Sequence, residues 1–169
     1  ALALAALLDV GTLPAATPGV GLEGALAVGR VEGRLRASFL TAQRADAPRP
    51  SGAGATFRAL LVDLRACLRP LPRFDALAGC LGLAGRVLFG DGFGVSDPRL
   101  GVAARAEALG GLALTIRAAE ALGLEISAEL AVPLGDADFT LRLEGPERPV
   151  WRPPAVAGRF GVAARARFR

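Results

Sequence analysis

The sequence predicts an all-β chain: eight antiparallel strands closed into an up-and-down, membrane-spanning β-barrel. Three observations carry this reading. Segment after segment alternates apolar residues at one parity with charged or small residues at the other, and successive strand side chains point to opposite faces. The connections between these segments alternate between long and short, the asymmetry of transmembrane barrels. Finally, 52% of the 169 residues are apolar, yet no run of about 18 residues is free of charges and of Gly/Pro interruption, so a transmembrane helix is not expected. A barrel with its apolar face turned to lipid accommodates that composition.

The eight segments are Leu2–Val10, Gly21–Gly29, Val31–Ala42, Thr56–Leu68, Leu77–Phe89, Val102–Arg117, Leu122–Leu134 and Ala155–Phe168. Most have the nine or more residues that a tilted strand needs to cross a bilayer. One domain spanning residues 1–169 is expected, because no composition shift marks a second. The first segment opens on Ala1–Leu8, an apolar run that also fits the remnant of a signal-peptide core. No basic segment precedes it and no cleavage site follows, so the strand is preferred. The absence of Met at position 1 points to a processed or trimmed chain. Thr12–Gly19, Gln43–Ala55, Gly90–Leu100 and Gly135–Pro154 form the long, Pro/Gly-rich connections. Those at Arg30, Arg69–Asp75 and Ala118–Ala121 are shorter. An even strand count puts both termini at the short-connection end.

Parity assigns the two faces. In Leu122–Leu134, the residues Leu122, Leu124, Ile126, Ala128, Leu130, Val132 and Leu134 share one side, opposite Glu125, Ser127 and Glu129. In the third segment Glu32, Arg34, Arg36 and Ser38 point inward and Val31, Leu35, Ala37 and Phe39 outward. Asp63 and Arg65 point inward in the fourth, with Leu60, Val62, Leu64 and Leu68 outward. Arg86 joins the inward set in the fifth segment. Arg105, Glu107, Thr115 and Arg117 share a side in the sixth, opposite Val102, Leu112, Leu114 and Ile116. In the last, Arg159 and Arg165 oppose Val156, Phe160, Val162 and Phe168. The predicted lumen is therefore filled by an Arg–Asp/Glu network of Glu32, Arg34, Arg36, Asp63, Arg65, Arg86, Arg105, Glu107, Glu125, Glu129, Arg159 and Arg165. Arg58 is the main break in parity; near a long connection it can snorkel to the headgroups at small cost. Val102–Leu130 is also rich in helix formers and reads locally as two helices broken at Gly110–Gly111 and Gly123. Ala and Leu dominate the whole chain, so propensity says little there.

Composition excludes several functions. All 20 basic residues are Arg; Lys, His, Tyr, Met and Asn are absent, a skew that fits GC-rich coding. Without His, a Ser-His-Asp hydrolase and most zinc enzymes are ruled out. The net charge of +4 does not indicate nucleic-acid binding: the Arg residues are dispersed, and one Trp and eight Phe offer little stacking surface. Glu125 and Glu129 lie on one face, but four residues of strand separate their Cα atoms by roughly 13 Å, too far for a glycosidase pair. Pairing with Arg105, Arg117, Arg159 or Arg165 is expected instead. Gly19–Gly24 matches the dinucleotide-binding G-x-G-x-x-G pattern without the strand and helix that the motif requires. No cofactor and no metal site is predicted.

Cys67 and Cys80 have the inward parity on either side of the Arg69–Asp75 turn, so a disulfide is expected near the short-connection end. The fourth long connection holds Asp136, Asp138, Glu144 and Glu147 without ordered calcium-ligand spacing, together with Arg142, Arg148 and Arg152. Trp151 fits the headgroup level, where an amphipathic ring prefers to sit. Arg44, Arg49, Arg99, Arg148 and Arg152 are candidates for contacts with lipopolysaccharide phosphates.

The last segment, Phe160-Gly-Val-Ala-Ala-Arg-Ala-Arg-Phe168, resembles the C-terminal signal read by the barrel-assembly machinery, carried by Phe160, Val162 and Phe168. Over nearly its whole length the chain resembles small outer-membrane β-barrels of the OmpA/OmpX type, and the uncharacterised barrel proteins of GC-rich Gram-negative bacteria. Arg169 follows the aromatic on which that family usually ends, and aromatic girdles are thin. The resemblance implies an outer-membrane location with periplasmic termini, and lipid, lipopolysaccharide and the assembly machinery as partners. It also implies a structural or surface-interaction role without catalysis. The alternative is a soluble or periplasmic lipocalin-like barrel around a small apolar ligand, which would invert every parity above.

Overall fold

The computed structural model describes residues 1–46, 52–69, 76–94, 100–135, 139–141, 148–151 and 154–168. The strands are β1 (Leu2–Val10), β2 (Thr17–Val28), β3 (Val31–Asp46), β4 (Gly54–Leu68) and β5 (Leu77–Phe93), followed by β6 (Leu100–Arg117), β7 (Leu122–Pro133), β8 (Phe139–Leu141), β9 (Arg148–Trp151) and β10 (Ala157–Ala166). Eight of them close a barrel in the order β1-β10-β7-β6-β5-β4-β3-β2. The seam is antiparallel, from Leu2 opposite Ala166 to Val10 opposite Gly158, so no edge is left unpaired. β8 and β9 form a separate hairpin between β7 and β10.

The composition that reads locally as helix over Val102–Leu130 forms β6 and β7, paired from Glu107 opposite Pro133 to Arg117 opposite Gly123. Their alternating apolar face overrides intrinsic propensity. β2 to β6 also run further into the long connections than their sequences indicate. β2 starts at Thr17, β3 continues to Asp46 and β5 to Phe93. β10 is shorter than expected, leaving Ala155, Val156, Arg167 and Phe168 outside it. A bulge at Thr41–Ala42 moves β3 from Leu40 opposite Ala59 to Gln43 opposite Phe57. One extra residue reverses parity, so Arg44 and Asp46 face out beyond it. At the other end β2 turns into β3 through Gly29–Arg30, where Gly29 has φ +61°; a two-residue hairpin needs such left-handed backbone.

The two faces of the wall are opposite in character. Along β1 exposure and burial alternate at every residue. The outward set is apolar and open, as at Leu4, Leu22, Leu64 and Leu81. Through the middle of the barrel the inward set is largely charged or small, the reverse of a lipocalin-like barrel. An eight-stranded barrel is just wide enough for side chains, so long lumenal residues need a cross-strand neighbour that yields space. Gly82 lies opposite Arg65 and Gly111 opposite Glu129. A Cβ at either would run into the partner's side chain and into the neighbouring strand's backbone, at Leu64 O for position 82 and Ala128 O for position 111.

The lumen is layered. Toward the long connections it is closed by an apolar cluster of Leu13, Leu40, Ala55, Phe57, Ala59, Leu61 and Leu88. An apolar layer thus stands beside the expected Arg–Asp/Glu network: Phe57, Leu61 and Leu88 have inward parity and are buried. Near the short connections Cys67 and Cys80 lie directly opposite each other on β4 and β5 and form a disulfide, packed with Ala78 and Ala113.

Candidate functional site: the charged lumen

Between these apolar ends lies the charged layer. Among the described residues, seven carboxylates are buried (Asp9, Glu23, Glu32, Asp63, Glu107, Glu125 and Glu129) and seven guanidiniums (Arg34, Arg36, Arg65, Arg86, Arg105, Arg159 and Arg165). The layer is therefore formally neutral; an unpaired charge buried there would cost several kcal/mol.

The ion pairs form one connected path. Glu107 receives three guanidiniums: Arg86 at 2.6 Å, Arg105 at 3.0 Å and Arg159 at 2.6 Å. Arg159 also reaches Asp9 at 3.0 Å and Asp63 at 3.4 Å. Asp63 accepts from Arg36 at 2.6 Å, and Arg36 continues to Glu129 at 2.7 Å. Arg65 bridges Glu129 and Glu23. Arg34 contacts Glu23 at 3.6 Å, Glu32 at 2.7 Å and Glu125 at 2.6 Å. Arg165 closes the lower part on Glu125 at 2.5 Å and Glu32 at 2.6 Å.

Every barrel strand contributes at least one member, and many pairs join strands that are not neighbours in the sheet. Arg34 and Arg36 on β3 meet Glu125 and Glu129 on β7; Arg165 on β10 meets Glu32 on β3. Backbone ladders tie each stave only to the next, so these cross-lumen pairs fix the cross-section. Arg34 and Arg86 each keep two guanidinium nitrogens without a hydrogen-bond partner, but Arg34 is flanked by three carboxylates, whereas Arg86 pairs with Glu107.

All twelve lumenal residues expected from parity are buried. Some partners differ: Glu125 meets Arg34 and Arg165, and Glu129 meets Arg36 and Arg65, whereas Arg105 and Arg159 turn to Glu107. Arg117 is exposed at the strand end. Sequence reasoning missed Asp9 and Glu23. The twelve expected residues hold five acids against seven Arg, and that imbalance was the available signal.

Outside the lumen, Arg58 faces outward as expected and pairs with Asp91 at 2.9 Å. Arg44 pairs with Asp46 at 3.1 Å and lies over the Phe93 ring, 3.8 Å from its centroid. Phe160 and Val162 are exposed on the outer wall of β10 and Phe168 just beyond it. Arg49, Arg99, Asp136, Asp138, Arg142, Glu144, Glu147, Arg152 and Arg169 lie outside the described residues, as do the side chains of Arg148 and Trp151. Among the described residues no group of three or more acidic or thiol side chains is placed to hold a metal ion.

The fold is that of the eight-stranded outer-membrane barrels. A major outer membrane protein of Thermus thermophilus superposes with a TM-score of 0.67 over 99% of this chain and 100% of its own, at 15% identity. Neisserial surface protein A gives 0.54 over 99% and 94%, at 8% identity. Ail, the attachment invasion locus protein of Yersinia pestis, in complex with the heparin analogue sucrose octasulfate, gives 0.54 over 99% and 95%, at 12% identity. No family model and no curated protein matches the sequence.

Proposed function

We propose that residues 1–169 form one outer-membrane β-barrel that serves as a closed, non-enzymatic scaffold and presents its long connections at the cell surface. The observation that carries this reading is the inverted burial: fourteen charged side chains sealed inside a wall whose outer face is Leu, Val, Ile and Phe. Water on the outside would meet an apolar belt far larger than soluble monomers expose; hydrocarbon would not. The termini lie in the periplasm, because outer-membrane barrels keep their short turns there and their long loops outside.

Among the described residues the lumen leaves no open route for ions or solutes. It is occupied by paired charges, and Leu40, Phe57, Leu61 and Leu88 close it toward the long connections. Function therefore falls to the surface. Arg44 and Arg58, each held by an acid on the outer wall, stand at the height where lipopolysaccharide phosphates accept bidentate hydrogen bonds. A sulfated ligand on Ail fits the same chemistry. Phe160, Val162 and Phe168 act as the recognition strip for the barrel-assembly machinery.

The test is gel mobility of membrane-extracted protein, boiled against unboiled, with detergent omitted in a parallel preparation. Solubility only in detergent and a mobility shift on boiling are expected. A detergent-free soluble monomer would refute the reading.

A further inference from the structure

The two rims of the barrel differ in charge. At the long-connection rim each described outward Arg has its acid, Arg44 with Asp46 and Arg58 with Asp91. At the short-connection rim the described residues Arg30, Arg69, Arg117 and Arg167 face a single rim carboxylate, Glu120. The layer between the rims is neutral, so this end holds the described basic excess. The chain segments that carry these Arg are also tied together. Arg69 N donates to Arg30 O at 3.1 Å, and Arg167 N to Ala121 O at 2.8 Å beside the β6–β7 turn. Burial, and then the charges of Arg117, Arg69 and Arg165, hold the Arg167 guanidinium below its ordinary pKa. The carboxylate that offsets this, Glu32, is already shared by Arg69 at 2.7 Å and Arg165 at 2.6 Å.

Position identifies what this excess meets. Each rim Arg is the chain neighbour of an exposed apolar residue: Arg30 of Val31, Arg69 of Leu68, Arg117 of Ile116 and Arg167 of Phe168. The basic residues therefore follow the lower edge of the apolar belt on four different staves. Arg69, Arg117 and Arg167 keep the lumenal parity of their strands and Arg30 stands in the β2–β3 turn, so the guanidiniums ring the mouth of the barrel, at the height where a lipid whose acyl chains lie on the belt carries its phosphate. A guanidinium fork takes a phosphate bidentately.

We propose that the short-connection rim is a binding collar for anionic phospholipid headgroups, which ties this end of the barrel to one leaflet. The proposal rests on the membrane-spanning reading above.

The experiment is native mass spectrometry of the detergent-solubilised, folded protein titrated with phosphatidylglycerol or phosphatidylcholine. Preferential retention of phosphatidylglycerol is expected, with each rim Arg removed lowering that preference roughly fivefold. The triple variant Arg30→Gln/Arg117→Gln/Arg167→Gln should lose it, and the corresponding Lys triple should keep it. The double variant Arg44→Gln/Arg58→Gln at the opposite rim should be unaffected. Arg69 is left in place because it holds Glu32. Should the triple fail to fold, Arg30→Gln in the exposed turn gives the same sign at smaller size. Equal retention of both lipids by heat-modifiable protein would overturn the collar alone, as would loss of preference in the opposite-rim variant. A chain that never shows heat-modifiable mobility would overturn the membrane reading itself.

Discussion

Arg36 on β3 and Glu129 on β7 meet across the lumen, 2.7 Å from Nη2 to Oε2, although three strands or more separate them around the wall in either direction. Glu129 also receives Arg65, so one carboxylate braces two staves against a third. Replacing it by Ala leaves two guanidiniums without this partner in a water-poor interior. Glu129→Ala is expected to destabilise the barrel by about 3–5 kcal/mol, read as a lower urea midpoint for loss of the compact unboiled gel form.

Glu107 carries more, because Arg86, Arg105 and Arg159 converge on it. Glu107→Gln keeps the shape and removes the charge. It should lower the midpoint further than Glu129→Gln does. Adding Arg86→Met, which removes a guanidinium with two unpartnered nitrogens, should recover part of the loss. Equal midpoints for the single and double variants would show that Arg86 and Glu107 are not coupled.

An inward and an outward glycine of β5 make a paired prediction. Gly82→Ala drives a Cβ against Leu64 O and the Arg65 stem, whereas a Cβ at Gly85, three residues on in the same strand, meets nothing within 4 Å. Gly82→Ala should cost about 1–3 kcal/mol and Gly85→Ala close to none, by the same midpoint assay.

The Cys67–Cys80 disulfide spans 13 residues of sequence and is buried. Removing its constraint on the unfolded chain should lower stability by about 2–4 kcal/mol. Urea midpoints with and without reductant measure this, and unreduced, denatured protein should show no free thiol.

Much of this architecture was legible because one rule, parity, governs both faces of each stave. Leu60, Val62 and Leu64 against Asp63 and Arg65 leave no other arrangement. The rule fails where the wall leaves its two-solvent setting. Beyond Leu40 the bulge reverses parity, and outward residues such as Arg44, Asp46 and Asp91 are polar, so strand extensions read as loop. Asp9 and Glu23 were hidden differently, one at a strand end and the other inside a glycine motif. Neutrality of a dry lumen would have retrieved both. Phe57, Leu61 and Leu88 had the right parity, but apolar residues inside a membrane barrel run against the alternation that identifies one; they mark where the lumen closes.

The measurement that bears most directly on the central claim is the solvent of the outer wall. In a Trp151→Phe background, Trp would be placed singly at Leu22 on β2 and at Leu64 on β4, both exposed outward. The protein would then be folded into vesicles containing lipids brominated on their acyl chains. Strong quenching at both positions is predicted, because each indole sits in hydrocarbon. Fluorescence that ignores the brominated lipid and responds to an aqueous quencher would contradict a lipid-facing wall, and with it the account of the charged lumen as the barrel's interior brace.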